Sequence, residues 1–204
     1  MKKLIVMAAV ALFGTQVAKA QLSKGDVILG GNVNVKTTSA KVKDTDNKTT
    51  NTSFGVSPKV GYALNSNWVI GVFAETQFGN KKVSTATGDV KTKTLDITPG
   101  VFVRNYHMIG QSKFAFFAEA NAGYGFGNTK VEGNKTESYT GFNVNVLPGI
   151  TYFVTKHFMI EGAFGGLGYS YAQHKAEGTG VKTNVSDFDF NFTKQLNLGV
   201  NFIF

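Results

Sequence analysis

One pattern, a strand with a proline set inside it, limits what this chain can become. In Val144-x-Val146-x-Pro148-x-Ile150-x-Tyr152 apolar residues take every second position, the period of a strand with one oily face. A short break at Thr155-Lys156-His157 precedes a second apolar stretch from Phe158. The arrangement recurs in Phe54-x-Val56-x-Pro58-x-Val60-x-Tyr62, which leads through Leu64–Asn67 to Trp68. It recurs again in Leu95-x-Ile97-x-Pro99-x-Val101-x-Val103, which leads through His107–Ser112 to Phe114. Leu196-x-Leu198-x-Val200-x-Phe202-x-Phe204 repeats it with valine in the proline slot. All 3 prolines occupy one slot of one motif, so the chain reads as an internal repeat of hairpins.

Residues 1–20 are separate from that repeat. Lys2 and Lys3 precede an apolar run, Leu4–Gly14, and Ala18-Lys19-Ala20 stands before Gln21. This is the order of a cleavable export signal, with Ala18 and Ala20 marking the cut and residues 21–204 forming the mature domain. The run is too short to cross a bilayer as a helix. With no cysteine in the chain, disulfides and lipid attachment beside the cut are excluded. Loss of Lys2, Lys3 and Lys19 lowers the formal charge from +8 to +5. After residue 20 no unbroken apolar run approaches ~18 residues, which leaves alternating strands of ~9–11 residues as the way to cross a membrane.

Taken in order, the mature chain reads as eight strands. Val27–Val35 is followed by the polar stretch Lys36–Thr52, and the Pro58 strand turns sharply into Trp68–Phe78. A second polar stretch, Gly79–Lys93, leads to the Pro99 strand and its partner Phe114–Phe126. A third, Gly127–Ser138, leads to the Pro148 strand and Phe158–Tyr171, and a fourth, Ala172–Asp187, to the strand ending at Phe204. Connections alternate long and short. An even number of antiparallel strands with that alternation predicts an all-β, up-and-down transmembrane barrel, its short turns and both termini periplasmic and its long loops extracellular. A soluble sandwich or lipocalin-like barrel also alternates. Aromatic residues at strand ends favour the membrane: Tyr62, Trp68, Tyr106, Phe114, Tyr152 and Phe158 by the short turns, and Phe78, Tyr124, Phe126, Tyr139, Tyr169 and Tyr171 by the long ones.

The export signal, eight alternating strands, short turns and closing Leu198-x-Val200-x-Phe202-x-Phe204 resemble the small outer-membrane β-barrel family, with its OmpX-, OmpW- and OmpA-barrel-like members. The resemblance spans the whole mature chain and is carried by pattern rather than by a catalytic motif. It implies an outer-membrane location and assigns Phe202 and Phe204 to the signal read by the barrel-assembly machinery.

Eight strands make a barrel whose interior is filled by side chains. If Trp68, Phe114 and Phe158 face lipid, parity turns Glu75, Glu119 and Glu161 inward, and Lys59 and Arg104 with them. These five are expected to form a paired lumen network, because an unpaired buried charge is costly. Inward glycines (Gly55, Gly61, Gly71, Gly100 and Gly149) are expected to leave room for Arg104 and the glutamates. Each strand proline removes a ladder donor and predicts a lost bond or a bulge.

The long stretches carry the charge. Lys36, Lys41, Lys43, Lys48, Lys81, Lys82, Lys91, Lys93, Lys130, Lys135, Lys175 and Lys182 outnumber Asp44, Asp46, Asp89, Glu132, Glu137, Glu177 and Asp187 by five. A basic extracellular rim, with Lys41, Lys43, Lys48, Lys81, Lys82, Lys91 and Lys93 at its centre, points to lipopolysaccharide phosphate as partner. Nucleic acid is excluded by compartment and by the lack of an arginine cluster. Alternation into Lys36–Thr52 suggests that the first two strands project as a ribbon able to accept a partner strand.

No enzyme motif emerges. His174, Ser170 and Glu177 are loose hydrolase candidates with no motif around them. Gly123-Tyr-Gly125-Phe-Gly127 lacks the context of a dinucleotide site, and Asp44-Thr-Asp46-Asn-Lys48 lacks the glycine and closing glutamate of a calcium loop. The chain therefore reads as a monomeric, non-enzymatic barrel without metal or cofactor, its interior plugged, serving envelope integrity, lipopolysaccharide contact or surface interaction. A narrow porin-like conduit for small or hydrophobic solutes is the rival.

Overall fold

Ten strand segments carry the regular structure. They are β1 (Val27–Lys41), β2 (Lys48–Ala63), β3 (Trp68–Thr85), β4 (Gly88–Met108), β5 (Phe114–Val131), β6 (Asn134–Phe153), β7 (Phe158–Phe164), β8 (Leu167–Ala176), β9 (Lys182–Phe190) and β10 (Leu196–Ile203). The computed structural model describes residues 22–190, apart from Asp44 and Asp46, and residues 196–204. The expected export signal, with Ala18 and Ala20, lies outside the described residues.

The ring runs β1 to β7 in sequence order, then β10, which returns to β1. Every pairing is antiparallel. β7 and β8 are two lengths of one wall strand, both held against β6, while β10 and β9 run beside them. The wall is thus the closed eight-stranded barrel expected from the pattern. Closure falls where the valine version of the motif put it: Val200 pairs Gly31, and the Val27 and Phe204 backbones exchange both hydrogen bonds at 2.9 Å. A closed ring leaves no free edge where it is paired, which a lone sheet would expose.

The prolines behave alike in one respect and differ in another. Opposite Pro58, Pro99 and Pro148 the ladder to the following strand is interrupted for two residues, while pairing to the preceding strand continues. The missing N–H of each faces its short-turn partner. The register is the same on both sides of the gap at Pro58 and Pro99. At Pro148 it slips by one residue, and there Gly165 and Gly166 separate β7 from β8. Gly31, opposite Pro58, has φ +146°, and a Cβ on it would collide with the Ser57 carbonyl.

The four polar stretches are mostly strand rather than loop. β3 and β4 stay paired to Thr85 and Gly88 across a two-residue turn, and β5 and β6 to Val131 and Asn134. Glu132 and Gly133, with φ 49° and 87°, make the tight turn that matches strand twist. The ribbon expected of the first two strands is therefore general. Paired threonines and lysines continue the ladder without an apolar face to announce it.

Side chains are sorted inside out. The outer face shows Leu29, Val60, Ile70, Val72, Val101, Phe116, Val144, Ile160 and Val200, all exposed, whereas Arg104, Glu119, Glu161, Ser57 and Asn201 are buried. At the end carrying the short turns, an apolar cluster crosses the interior: Leu22, Ile28, Val69, Phe102, Tyr106, Phe117, Phe153, Met159 and Ile203.

Candidate functional site

β4 turns Phe102, Arg104 and Tyr106 inward, and β5 turns Phe117 and Glu119 inward beside them, because residues two apart share a face. Arg104 and Glu119 are directly opposite in the ladder. The guanidinium donates from Nε (2.9 Å) and Nη2 (2.5 Å) to Glu119 Oε2. It also reaches across the lumen to Glu161 on β7, through Nη1 to Oε2 and Nη2 to Oε1 (3.2 Å). Nη1 donates to the Tyr106 hydroxyl as well, at 2.9 Å. Lys59 on β2 donates to the other Glu119 oxygen, Oε1, at 2.6 Å. Four strands are thereby tied through two cations and two carboxylates, with the charges balanced. Arg104 is 4% exposed and Glu119 1%.

Aromatic rings close around these charges. The Arg104 guanidinium lies 4.2 Å from the Phe117 ring centre and 5.9 Å from that of Phe102, and the Lys59 ammonium is 5.2 Å from Phe102. Such contacts favour a desolvated cation. The space over the inward glycines goes to these rings, not to Arg104 and the glutamates. Val69 and Phe102 fill it at Gly61, Phe102 at Gly71, Phe73 at Gly100 and Phe117 at Gly149, while Gln77 covers Gly55.

Of the five residues expected in the lumen network, Lys59, Arg104, Glu119 and Glu161 meet. Glu75 does not. It faces the lumen farther toward the ribbon end and accepts from Gln77 at 3.2 Å. Tyr106 and Tyr139 are not belt residues either: Tyr106 is buried in the core, and Tyr139 packs inward against His174, 5.6 Å between ring centres. Their parity, shared with Arg104 and Asn143, could have shown this.

Above the cluster the lumen widens into a cavity of about 1090 Å³, lined by Asn32, Asn34, Gln77, Asn121, Asn143, Asn145 and Asn197. Asn145 donates to Asn121 (3.0 Å), which donates to Glu119 (3.1 Å), so the polar wall is continuous with the charged floor.

An apolar outside, a polar inside and a closed antiparallel ring are the inverse of a water-soluble sandwich. The family model described as outer membrane protein beta-barrel domain matches residues 5–204. The chain belongs to this outer-membrane barrel family. Among solved structures it is similar to the outer membrane protein OprG from Pseudomonas aeruginosa, with 17% identity, 91% of this chain and 98% of that one covered, and a TM-score of 0.51. It is also similar to the outer membrane protein W of E. coli, with 14% identity, 89% and 98% coverage, and a TM-score of 0.50. At such identities the likeness is one of fold. No curated protein matches the sequence.

For an outer-membrane barrel the ribbon lysines take on a definite arrangement. Lys41 is opposite Lys48, Lys82 opposite Lys91, and Lys93 opposite Lys130, which is itself opposite Lys135. All of these share the outer face with Leu95 and Phe126, whereas Lys81 shares the inner face with Gln77 and so is not part of the outward rim. Lys36 also faces the cavity, and Lys43 sits between β1 and β2. Asp44 and Asp46 lie outside the described residues. Lys82 pairs with Asp89 at 2.7 Å and Lys135 with Glu177 at 2.7 Å. Hydrogen bonds from Lys82 and Ser84 hold the Asp89 carboxyl below its usual range, and those from Lys135 and Ser138 do the same for Glu177. Among the described residues no group of acidic, histidine or cysteine side chains could hold a metal. The hydrolase candidates do not converge: His174 Nδ1 contacts Glu137 at 2.6 Å, and Glu177 is held by Lys135 and Ser138.

Proposed function

We propose that this protein is a non-enzymatic, monomeric outer-membrane barrel with a closed lumen, whose outward lysines bind the phosphates of the lipopolysaccharide leaflet. The row Lys93–Lys130–Lys135 across three adjacent strands carries the reading; Lys135 also meets Glu177, so the sharpest repulsion is between Lys93 and Lys130. Like charges directly opposite on a ladder repel, and an anion between them removes the repulsion. Lys93 is the next outward position after the apolar Leu95, the height at which hydrocarbon gives way to headgroups. Lysine is a competent point-charge partner for phosphate. In this orientation the ribbons face outside, the short turns and termini face the periplasm, and residues 1–20 are removed after Ala20 by the export machinery. The apolar cluster beneath Arg104 supports a closed lumen rather than a conduit.

The test is binding of lipopolysaccharide to the barrel in zwitterionic nanodiscs. A Lys93→Gln/Lys130→Gln/Lys135→Gln variant should bind at least about tenfold more weakly, since each lysine near an anionic leaflet contributes about 1 kcal/mol. Wild-type binding should also weaken with salt. Unchanged affinity in the triple variant, or equal affinity for dephosphorylated lipopolysaccharide, overturns the reading.

A further inference from the structure

The cavity above the Arg104 cluster has the chemistry of a binding site. Its six asparagines, Asn32, Asn34, Asn121, Asn143, Asn145 and Asn197, come from several wall strands and face one space. A carboxamide offers an acceptor and two donors in one plane, which matches a pair of neighbouring hydroxyls that each donate and accept. The charged lining groups balance, Lys36, Lys59 and Arg104 against Glu75, Glu119 and Glu161. Lys59 and Arg104 are already committed to Glu119 and Glu161. The lining therefore carries no net charge that would select an ionic solute of either sign. One acceptor remains unused: Asn143 Oδ1 is buried and has no hydrogen-bond partner among the described residues. A buried polar atom without a partner is costly, and a rotation of the Asn143 carboxamide that brings this oxygen to the cavity surface lets a solute hydroxyl satisfy it. Phe73 adds an apolar flank, suited to the C–H face of a sugar ring.

We propose that this vestibule binds a neutral polyhydroxylated solute of mono- or disaccharide size. Its volume of about 1090 Å³ accommodates such a molecule with water, at the upper end of the usual range for ligand sites. The Arg104 cluster and the aromatic core beneath it close the floor, so the solute enters and leaves by the same mouth. The site uses inward residues only and stands apart from the outward lysine belt.

The protein in phosphocholine nanodiscs, with no sugar-headed detergent present, is titrated with glucose, with maltose and with sodium phosphate while the side-chain amide signals of the lining asparagines are followed by NMR. Either sugar should give saturable shifts centred on Asn121, Asn143 and Asn145, and phosphate should give none there. Asn143→Leu should weaken the sugar response about tenfold or more, the worth of a hydrogen bond to a desolvated acceptor. Asn145→Ala serves as the second variant, since its side chain contributes no wall ladder bond, and dispersed wall amides report that each variant is folded. Absence of a saturable shift with both sugars, shifts undiminished in both folded variants, or a stronger response of the same amides to phosphate would each overturn the proposal.

Discussion

Arg104 donates to Glu119 and Glu161 at once and lies against the Phe117 ring, so its removal leaves two carboxylates buried without their main partner. Breaking a buried ion pair from one side costs about 3–5 kcal/mol. Arg104→Ala should therefore lower the unfolding free energy by that order, read as a lower urea midpoint followed through Trp68, which is 44% exposed on the outer wall. The same variant should stay electrically silent in planar bilayers, because the apolar cluster from Leu22 to Ile203 still crosses the turn end. Steady conductance in the wild type, enlarged by Arg104→Ala, would instead establish a conduit. At this scale parity was legible and height was not. Alternation placed Lys59, Arg104, Glu119 and Glu161 on the inner face, and they meet. It placed Glu75 there too, but strand tilt and stagger decide which inward residues share a level, and Glu75 stands opposite Thr98 while Glu119 stands opposite Arg104. Tyr106 has the ring chemistry of a belt residue but the parity of Arg104, and parity decides its side of the wall. Its hydroxyl lies 2.9 Å from Arg104.

Among the elements, the proline motif was legible as a repeat, whereas the difference between its copies was not. At Pro58 the two flanking stretches of the β2–β3 ladder are in one register, so the gap lacks only a donor. At Pro148 the facing strand carries an extra residue at Gly165–Gly166, and a donor there has no aligned acceptor. Pro58→Val should accordingly gain about 0.5–1.5 kcal/mol from one added ladder bond, with the amide at position 58 protected from hydrogen exchange. Pro148→Val should leave stability nearly unchanged, with an unprotected amide. Equal protection at both positions would remove the distinction between gap and bulge. Beyond the β1–β2 ribbon, which alternation announces, the ribbons are not legible in the sequence for a related reason. Strands are announced by an apolar face, and where Thr92 meets Lys81 and Val131, or Thr50 meets Lys82, the ladder continues without one. Pairing there rests on β-favouring threonine and valine and on tight turns such as Glu132-Gly133.

For the whole molecule the decisive event is ring closure. β10 lies between β7 and β1, and Phe204 and Val27 exchange the last two backbone bonds. The Phe204 ring takes almost no part in that closure, being 71% exposed on the outer face, while Phe202 packs on Phe158 with ring centres 5.3 Å apart. If the assembly machinery reads Phe204, physical stability and recognition separate at adjacent outward positions. Phe204→Ala should refold from urea into micelles as well as the wild type, because an exposed ring contributes little buried area. In cells the same variant should show a reduced fraction of heat-modifiable, folded barrel in the outer membrane, as expected if the assembly machinery reads this ring. Phe202→Ala should lose in both settings, since it also removes the contact with Phe158. If Phe204→Ala falls equally in the purified and the cellular measurement, the residue is structural and the recognition role is lost. If it falls in neither, closure needs only the backbone pair at Val27, and the aromatic end serves the lipid interface alone.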